Sequence, residues 1–157
     1  MKNRLLALTF VLLLAGCSSC PVPSSSVPMG RDHILSQFEQ AKVGDEGYTT
    51  VTRERIEHLA RVFRARLMPP LGDRWDCEDD ASLFRMYAVE DHRFHGRAQG
   101  GIAIGEVWAH MQVGAKRRYH AINVGILEDE TTVFFDVRSV NFWVDRSAIH
   151  TIEHVRF

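Results

Sequence analysis

Apolar residues recur every three or four positions through the first half of the folded chain and every two through the second. Asp32 can cap a short helix that carries Ile34, Leu35, Phe38 and Ala41 on one side, and Gly44 and Gly47 interrupt it. From about Thr52 to Met68, Ile56, Leu59, Ala60, Phe63 and Leu67 form an inward stripe, and Pro69-Pro70 ends the helix. Arg53, Arg61 and Arg64 fall mostly on other faces, among Glu54 and Glu57. Signs mixed in this way describe a solvated face rather than a phosphate- or lipid-binding one. A third helix runs from Cys77 to about Val89, with Cys77, Ala81, Phe84 and Ala88 inward, and a polar loop over Glu90–Gly101 follows it.

Beyond that loop the period changes. Ile102, Ile104, Trp108 and His110 alternate with Ala103, Gly105, Val107 and Ala109, the pattern of a strand buried on both sides, with Gly105 marking a bulge or a close backbone approach. Strands over about Arg118–Leu127 and Thr131–Arg138 flank the acidic turn Glu128-Asp129-Glu130. Shorter strands are predicted around Val140–Val144 and Ile149–Phe157. Helices followed by a run of adjacent strands predict an α+β domain, its N-terminal helices packed on an antiparallel sheet.

The first residues do not belong to this pattern. Met1-Lys2-Asn3-Arg4 is a short basic start, Leu5–Leu14 is apolar but too short to span a bilayer, and Leu14-Ala15-Gly16-Cys17 follows. That ending resembles the lipobox of bacterial lipoproteins. The resemblance implies a signal peptide over 1–16, acylation of Cys17 and attachment to a membrane through the lipid. Ser18 after the cysteine implies sorting to the outer membrane, with the domain facing the periplasm. Residues 17–30, rich in proline and serine, read as a tether, and residues 31–157 as the domain. Loss of the first 16 residues takes the formal charge from −1 to −3, which does not suggest nucleic-acid binding. Cys20 and Cys77 then remain and could pair. A bridge to a tail three residues from the anchor constrains little, so Cys77 is read as a free thiol.

Cys77 lies in the first turn of its helix, where the helix dipole and unpaired N–H groups favour a thiolate. His120 and Asp136 follow on the paired strands. A nucleophile, a base and an orienting acid in that order can attack a peptide or amide carbonyl. Parity supports the grouping, because His120 shares a strand face with Ile122, Val124 and Ile126, and Asp136 with Thr132 and Phe134. Pairing Ile126 with Glu130 sets His120 opposite Asp136. Pairing Leu127 with Thr131 sets Asp136 opposite Ile122 and diagonal to His120. Either register brings the two together, on the face that the Cys77 helix is expected to cover. Asn123, on the other face, is read as a structural amide.

Asp76-Cys77-Glu78-Asp79-Asp80-Ala81, Gly101-Ile102-Ala103-Ile104-Gly105-Glu106, His120-Ala121-Ile122-Asn123 and Phe134-Phe135-Asp136 together resemble the papain-fold and transglutaminase-like cysteine peptidases. Within that group they are most similar to the papain-like C-terminal domain of the mushroom agglutinin and its bacterial relatives, over roughly residues 70–145. The resemblance implies a papain-like fold with Cys77 as nucleophile, His120 as base and Asp136 as orienting acid. The chain departs from it at Asp136-Val137-Arg138, where the relatives carry Glu-Pro-Gln.

Other readings compete. Cys77 alone is a small buried hydrophobe, His120 a satisfied core histidine and Asp136 a hairpin carboxylate paired with Arg118 or Arg138. The acids Glu78, Asp79 and Asp80 complement the helix dipole rather than hold calcium. No histidine spacing supports a zinc site, His150 and His154 included, and no cofactor is expected. Trp75, Trp108 and Trp143 could line a ligand groove beside Cys77, although core packing explains such residues more often. For the oxyanion, Cys77 N–H is one donor, and Trp75 N–H or the His110 ring are candidates for the second. The sequence thus points to an envelope-anchored cysteine hydrolase or acyltransferase acting on a peptide, protein or cell-wall substrate. The other reading is a non-catalytic binding module for an envelope partner, or a surface or phage exclusion factor, on the same scaffold.

Overall fold

The computed structural model of the chain describes residues 27–66, 76–95 and 100–157. The expected signal peptide, Cys17, Cys20 and the tether up to Ser26 lie outside them, as does Trp75. In chain order the elements are β1 (Pro28–Gly30), α1 (Arg31–Gln37), β2 (Ala41–Lys42), β3 (Gly47–Thr49), α2 (Arg53–Arg66), α3 (Cys77–Phe94), β4 (Gly101–Ile102), β5 (Ile104–Val113), β6 (Lys116–Ile126), β7 (Thr132–Phe135), β8 (Trp143–Val144) and β9 (Ile149–Arg156), with a 3-10 turn at Arg146–Ala148. The fold is α+β. A six-stranded sheet runs β2-β9-β5-β6-β7-β8, antiparallel except where β2 joins β9, and a small sheet runs β1-β3-β4.

Both long helices begin where a side chain takes up end N–H groups. The Thr52 hydroxyl accepts the Arg55 N–H at 3.1 Å. Asp76 accepts from Glu78 and Asp79 at 3.0 and 3.3 Å, and the Asp79 carboxylate returns to the Asp76 N–H at 3.3 Å. This reciprocal cap fixes where α3 starts, and with it the position of Cys77.

Several boundaries depart from the sequence reading; β7 ends at Phe135 rather than Arg138, which leaves Asp136 just past the strand, and β8 is only Trp143–Val144. α1 stops at Gln37 because Phe38 turns extended, with φ −141° and ψ 107°, and drops into the core against Phe134 and Phe157, 6.4 and 6.0 Å between ring centroids. Ala41, assigned to that helix by its spacing, instead opens β2. α3 continues to Phe94, past the predicted end at Val89, since buried His92 extends the stripe of Phe84 and Ala88 by one more interval of four. Strand pairing starts at Pro28, inside the stretch read as tether, and buries Met29.

The large sheet is covered on both faces. Ile122, Val124, Ile126, Val107 and Phe134 pack against Ile34 and Phe38 of the N-terminal segment. On the other face Ile104, Val133 and Phe135 meet Ile56, Leu59 and Phe63 of α2 and Phe84 and Ala88 of α3. Phe84 joins the two layers, edge-to-face with Phe63 and with Phe135 at 5.5 Å each, contacts worth about 1 kcal/mol apiece beyond the area they bury. Gly105 is the predicted close approach: a Cβ there would stand 2.6 Å from the Arg156 carbonyl oxygen of β9.

One expectation is corrected here. α3 covers the sheet face that carries Asn123, not the face that carries His120. Asn123, fully buried, donates from Nδ2 to the Ala81 carbonyl of α3 at 2.9 Å and to the Gly105 carbonyl at 3.2 Å. The apolar run from Ile122 to Ile126 belongs to the opposite core. Hydrophobic continuity picked the wrong side because both faces of this sheet are buried.

Candidate functional site

Since α3 covers the other face, Cys77 meets His120 at the side of β6 rather than over a face. The ladder between β6 and β7 runs from Ile126–Thr132 to Asn123–Phe135 and stops. Beyond it, the first turn of α3 abuts β6, and the backbone N–H of Ala121 hydrogen-bonds toward the Cys77 sulfur. The His120 side chain, next to Ala121, reaches the same sulfur.

Asp136 follows directly on β7. The register is the second of the two allowed by parity: Leu127 N–H bonds Thr131 O at 2.9 Å, and Asn123 faces Phe135. Asp136 therefore lies diagonal to His120, and its Oδ2 stands 3.0 Å from His120 Nε2. Its other oxygen accepts the N–H groups of Arg138 and Ser139 at 2.9 and 3.2 Å, so its own turn orients the carboxylate. Arg138 thus contributes a backbone N–H to Asp136, while its guanidinium pairs with Asp80 of α3. With Nε2 committed to Asp136, Nδ1 is the ring nitrogen left for the thiol.

The charges agree with the geometry. The His120 hydrogen bond, aided by the Ala121 N–H, holds the Cys77 thiol below its usual range against burial and the Asp76 charge. His120 is pushed up to about 9, first by Asp136 and then by Cys77, against burial. Burial raises the Asp136 carboxyl, but His120 and the N–H groups of Arg138 and Ser139 outweigh it and hold it below its usual value. The Cys77 thiol is free. A thiolate beside a protonated imidazole, held by a carboxylate, can act as a nucleophile that keeps its proton at hand.

These shifts set a pH dependence of stability. A histidine raised to about 9 adds stability that is complete below about 6.5 and is lost as pH rises through 9. A depressed carboxyl adds stability that is complete above about 4 and is lost on acidification. The pair's contribution is expected to be fullest between about pH 4 and 6.5. Urea unfolding of wild type and His120→Gln across pH 3–10 checks this, since their difference should shrink toward both ends.

Other predicted residues are dispersed. His110 Nε2 lies 2.7 Å from Glu153 Oε1 rather than at the thiol. Trp108 tilts on His154 at 5.1 Å, whereas Trp143, three strands away in the sheet, lies under Arg53 at 4.6 Å and donates to Glu57 at 3.1 Å. Those two tryptophans do not share a groove. Among the described residues no three His, Cys, Asp or Glu side chains group as a metal site requires.

Sequence reasoning missed the polar contacts that seat α3. Ser82 Oγ donates to the fully buried Glu106 at 2.6 Å, and Arg156 reaches the other Glu106 oxygen at 3.2 Å. A carboxylate between Ile104 and Trp108 on a buried face was the available signal. Asp80, 2 % exposed, was grouped with Glu78 and Asp79 as acids complementing the helix dipole, although it is three residues from Cys77 and so on nearly the same face.

No protein-family model and no curated protein matches this chain. Solved structures do. One, described as a PSL1a–E64 complex, is similar with a TM-score of 0.68 and 15% identity over 83% of this chain and 51% of that one. Another, Polyporus squamosus lectin bound to the human-type influenza-binding epitope Neu5Aca2-6Galb1-4GlcNAc, gives 0.66 and 15% over 83% and 49%. This chain shares its fold with about half of a mushroom lectin. At that identity the likeness is one of fold.

Proposed function

We propose that the chain is an envelope lipoprotein, anchored through acylated Cys17, whose domain is a papain-like cysteine hydrolase or acyltransferase for peptide or amide bonds. The observation that carries the reading is the hydrogen-bonded row Cys77–His120–Asp136. In the reaction the Cys77 thiolate attacks the carbonyl carbon, and the oxyanion takes hydrogen bonds that include the Cys77 N–H, which the helix cap leaves unused. Protonated His120 gives its proton to the departing amine, leaving a thioester on Cys77. Water or an acceptor amine, deprotonated by His120, then displaces the thiol and restores the resting state. Asp136 keeps the ring oriented and its cation stable. A peptide, an envelope protein or the cell wall supplies the bond. The lipid and Ser18 favour the outer membrane, facing the periplasm.

A second reading is a non-catalytic binding module on the same scaffold, favoured by the lectin and its glycan epitope among the neighbours. Labelling separates the two. Iodoacetamide, or the thiol-alkylating epoxide E64 named with one of the neighbours, is expected to modify Cys77 of the full chain at pH 7 at least about threefold faster than Cys20. Peptide mass spectrometry over a time course measures both sites at once. Slow labelling of Cys77, no faster than that of Cys20, would leave only the binding module.

A further inference from the structure

The turn from Asp136 to Ser139 carries the acid of the row and lies beyond the end of β7, where the Asp136 N–H bonds the Phe142 carbonyl at 2.9 Å. Two guanidinium groups tie it to two helices. Arg138, inside the turn, extends its side chain to Asp80, which is 2 % exposed and sits one helical turn beyond Cys77. Arg64 of α2 donates Nε to the Val137 carbonyl and Nη2 to those of Ser139 and Asp136, at 2.9 and 3.4 Å for the latter two. Its guanidinium also stacks 5.1 Å from the centre of the Phe142 ring, which closes the same loop. We propose that Arg64 and Arg138 are positioning residues for the Cys77 chemistry, clamping the Asp136 turn to α2 and α3 so that its carboxylate stays on the His120 ring.

This deepens the enzymatic reading and rests on it. Asp136 takes its orientation from two N–H groups of its own turn, so any shift of the turn moves the carboxylate with it. The Asp80–Arg138 pair links that turn to the helix that bears the nucleophile. Acid and sulfur are therefore tied by a path that bypasses the sheet. Buried ion pairs add little net stability compared with apolar residues of similar size, so stability alone is a weak reason for this one. A fixed distance between α3 and the turn is a better reason.

The same property gives the test. Arg138→Met alone strands the buried Asp80 charge and is expected to lower Tm, whereas adding Asp80→Leu removes that charge too and should recover most of the loss. In the folded double variant, alkylation of Cys77 by iodoacetamide at pH 7 is expected to be about threefold slower than in wild type, since a misplaced acid weakens the hold of His120 on the thiol. The NMR titration midpoint of His120 should fall from about 9 toward its ordinary value. Arg64→Ala, at an exposed position, should move both readouts the same way by a smaller factor, about twofold in rate, and it decides the matter if the double variant does not fold. Wild-type rates and an unmoved His120 titration in the folded variants overturn the proposal. Should wild-type Cys77 itself prove unreactive, the enzymatic reading falls separately, and an unmoved His120 midpoint would still refute the clamp.

Discussion

His120→Ala is expected to slow alkylation of Cys77 at pH 7 by about threefold for each unit that the thiol rises and to move the pH–rate curve to higher pH. The imidazole is the first cause of the lowered thiol, and what remains after its loss is unequal: Ala121 N–H still lowers it, while burial and the Asp76 charge raise it. The sulfur should then titrate near or above the ordinary value of about 8.5. Each unit of upward shift costs tenfold in thiolate at neutral pH, although a more basic thiolate is also a better nucleophile and recovers about half of that on a logarithmic scale. In wild type the rate should rise through a midpoint below that of a simple thiol. It should then change again where His120 loses its proton near 9. The variant should show one rise only. Pseudo-first-order rates from pH 5 to 10, read by mass spectrometry of the Cys77 peptide, distinguish the curves. Identical profiles would mean that the imidazole has no hold on the thiol in solution.

The largest loss of stability is expected from Asn123→Asp. Asn123 is fully buried and points two N–H bonds at carbonyls, one on α3 and one on β5. A carboxylate of the same shape has no hydrogen to give. It would face two carbonyl oxygens in a fully buried site, and would fold only by taking up a proton. A stranded buried charge costs about 3–5 kcal/mol, which for a chain of this length lowers Tm by about 10 °C. Asn123→Leu loses the same two bonds without adding charge, and it also removes Oδ1, which is buried without a partner. Its cost should be smaller, about 1–3 kcal/mol. Calorimetry at pH 7 gives the order, with Leu above Asp. The reverse order would show that shape, not polarity, seats the first turns of α3. Recovery of the Asp variant on acidification would confirm the sign.

Much of the site was legible because it depends on local rules. Parity placed His120 and Asp136 on one face without knowledge of the fold, and the turn register then followed from two candidates. The start of α3 was legible from the run of apolar spacings beginning at Cys77. Contacts between distant segments were not. The strands at Pro28–Gly30, Ala41–Lys42 and Gly47–Thr49 are two or three residues long, too short for any period to show, and they exist only through their partners. Phe38 kept helical spacing while adopting extended backbone, because it was drawn into an aromatic cluster with residues some hundred positions away. Asp80 and Arg138 each look like ordinary surface charges until the fold brings them together.

The end of β7 at Phe135 has a mechanical consequence. The sulfur rides on the helical layer, and the imidazole rides on the sheet, so the two meet only while those layers are seated on each other. A slight sliding of α3 would silence the thiol long before the molecule came apart. The speed with which Cys77 takes up an electrophile is therefore a gauge of layer docking, one that an outside force on the helices could turn down without touching the chemistry itself.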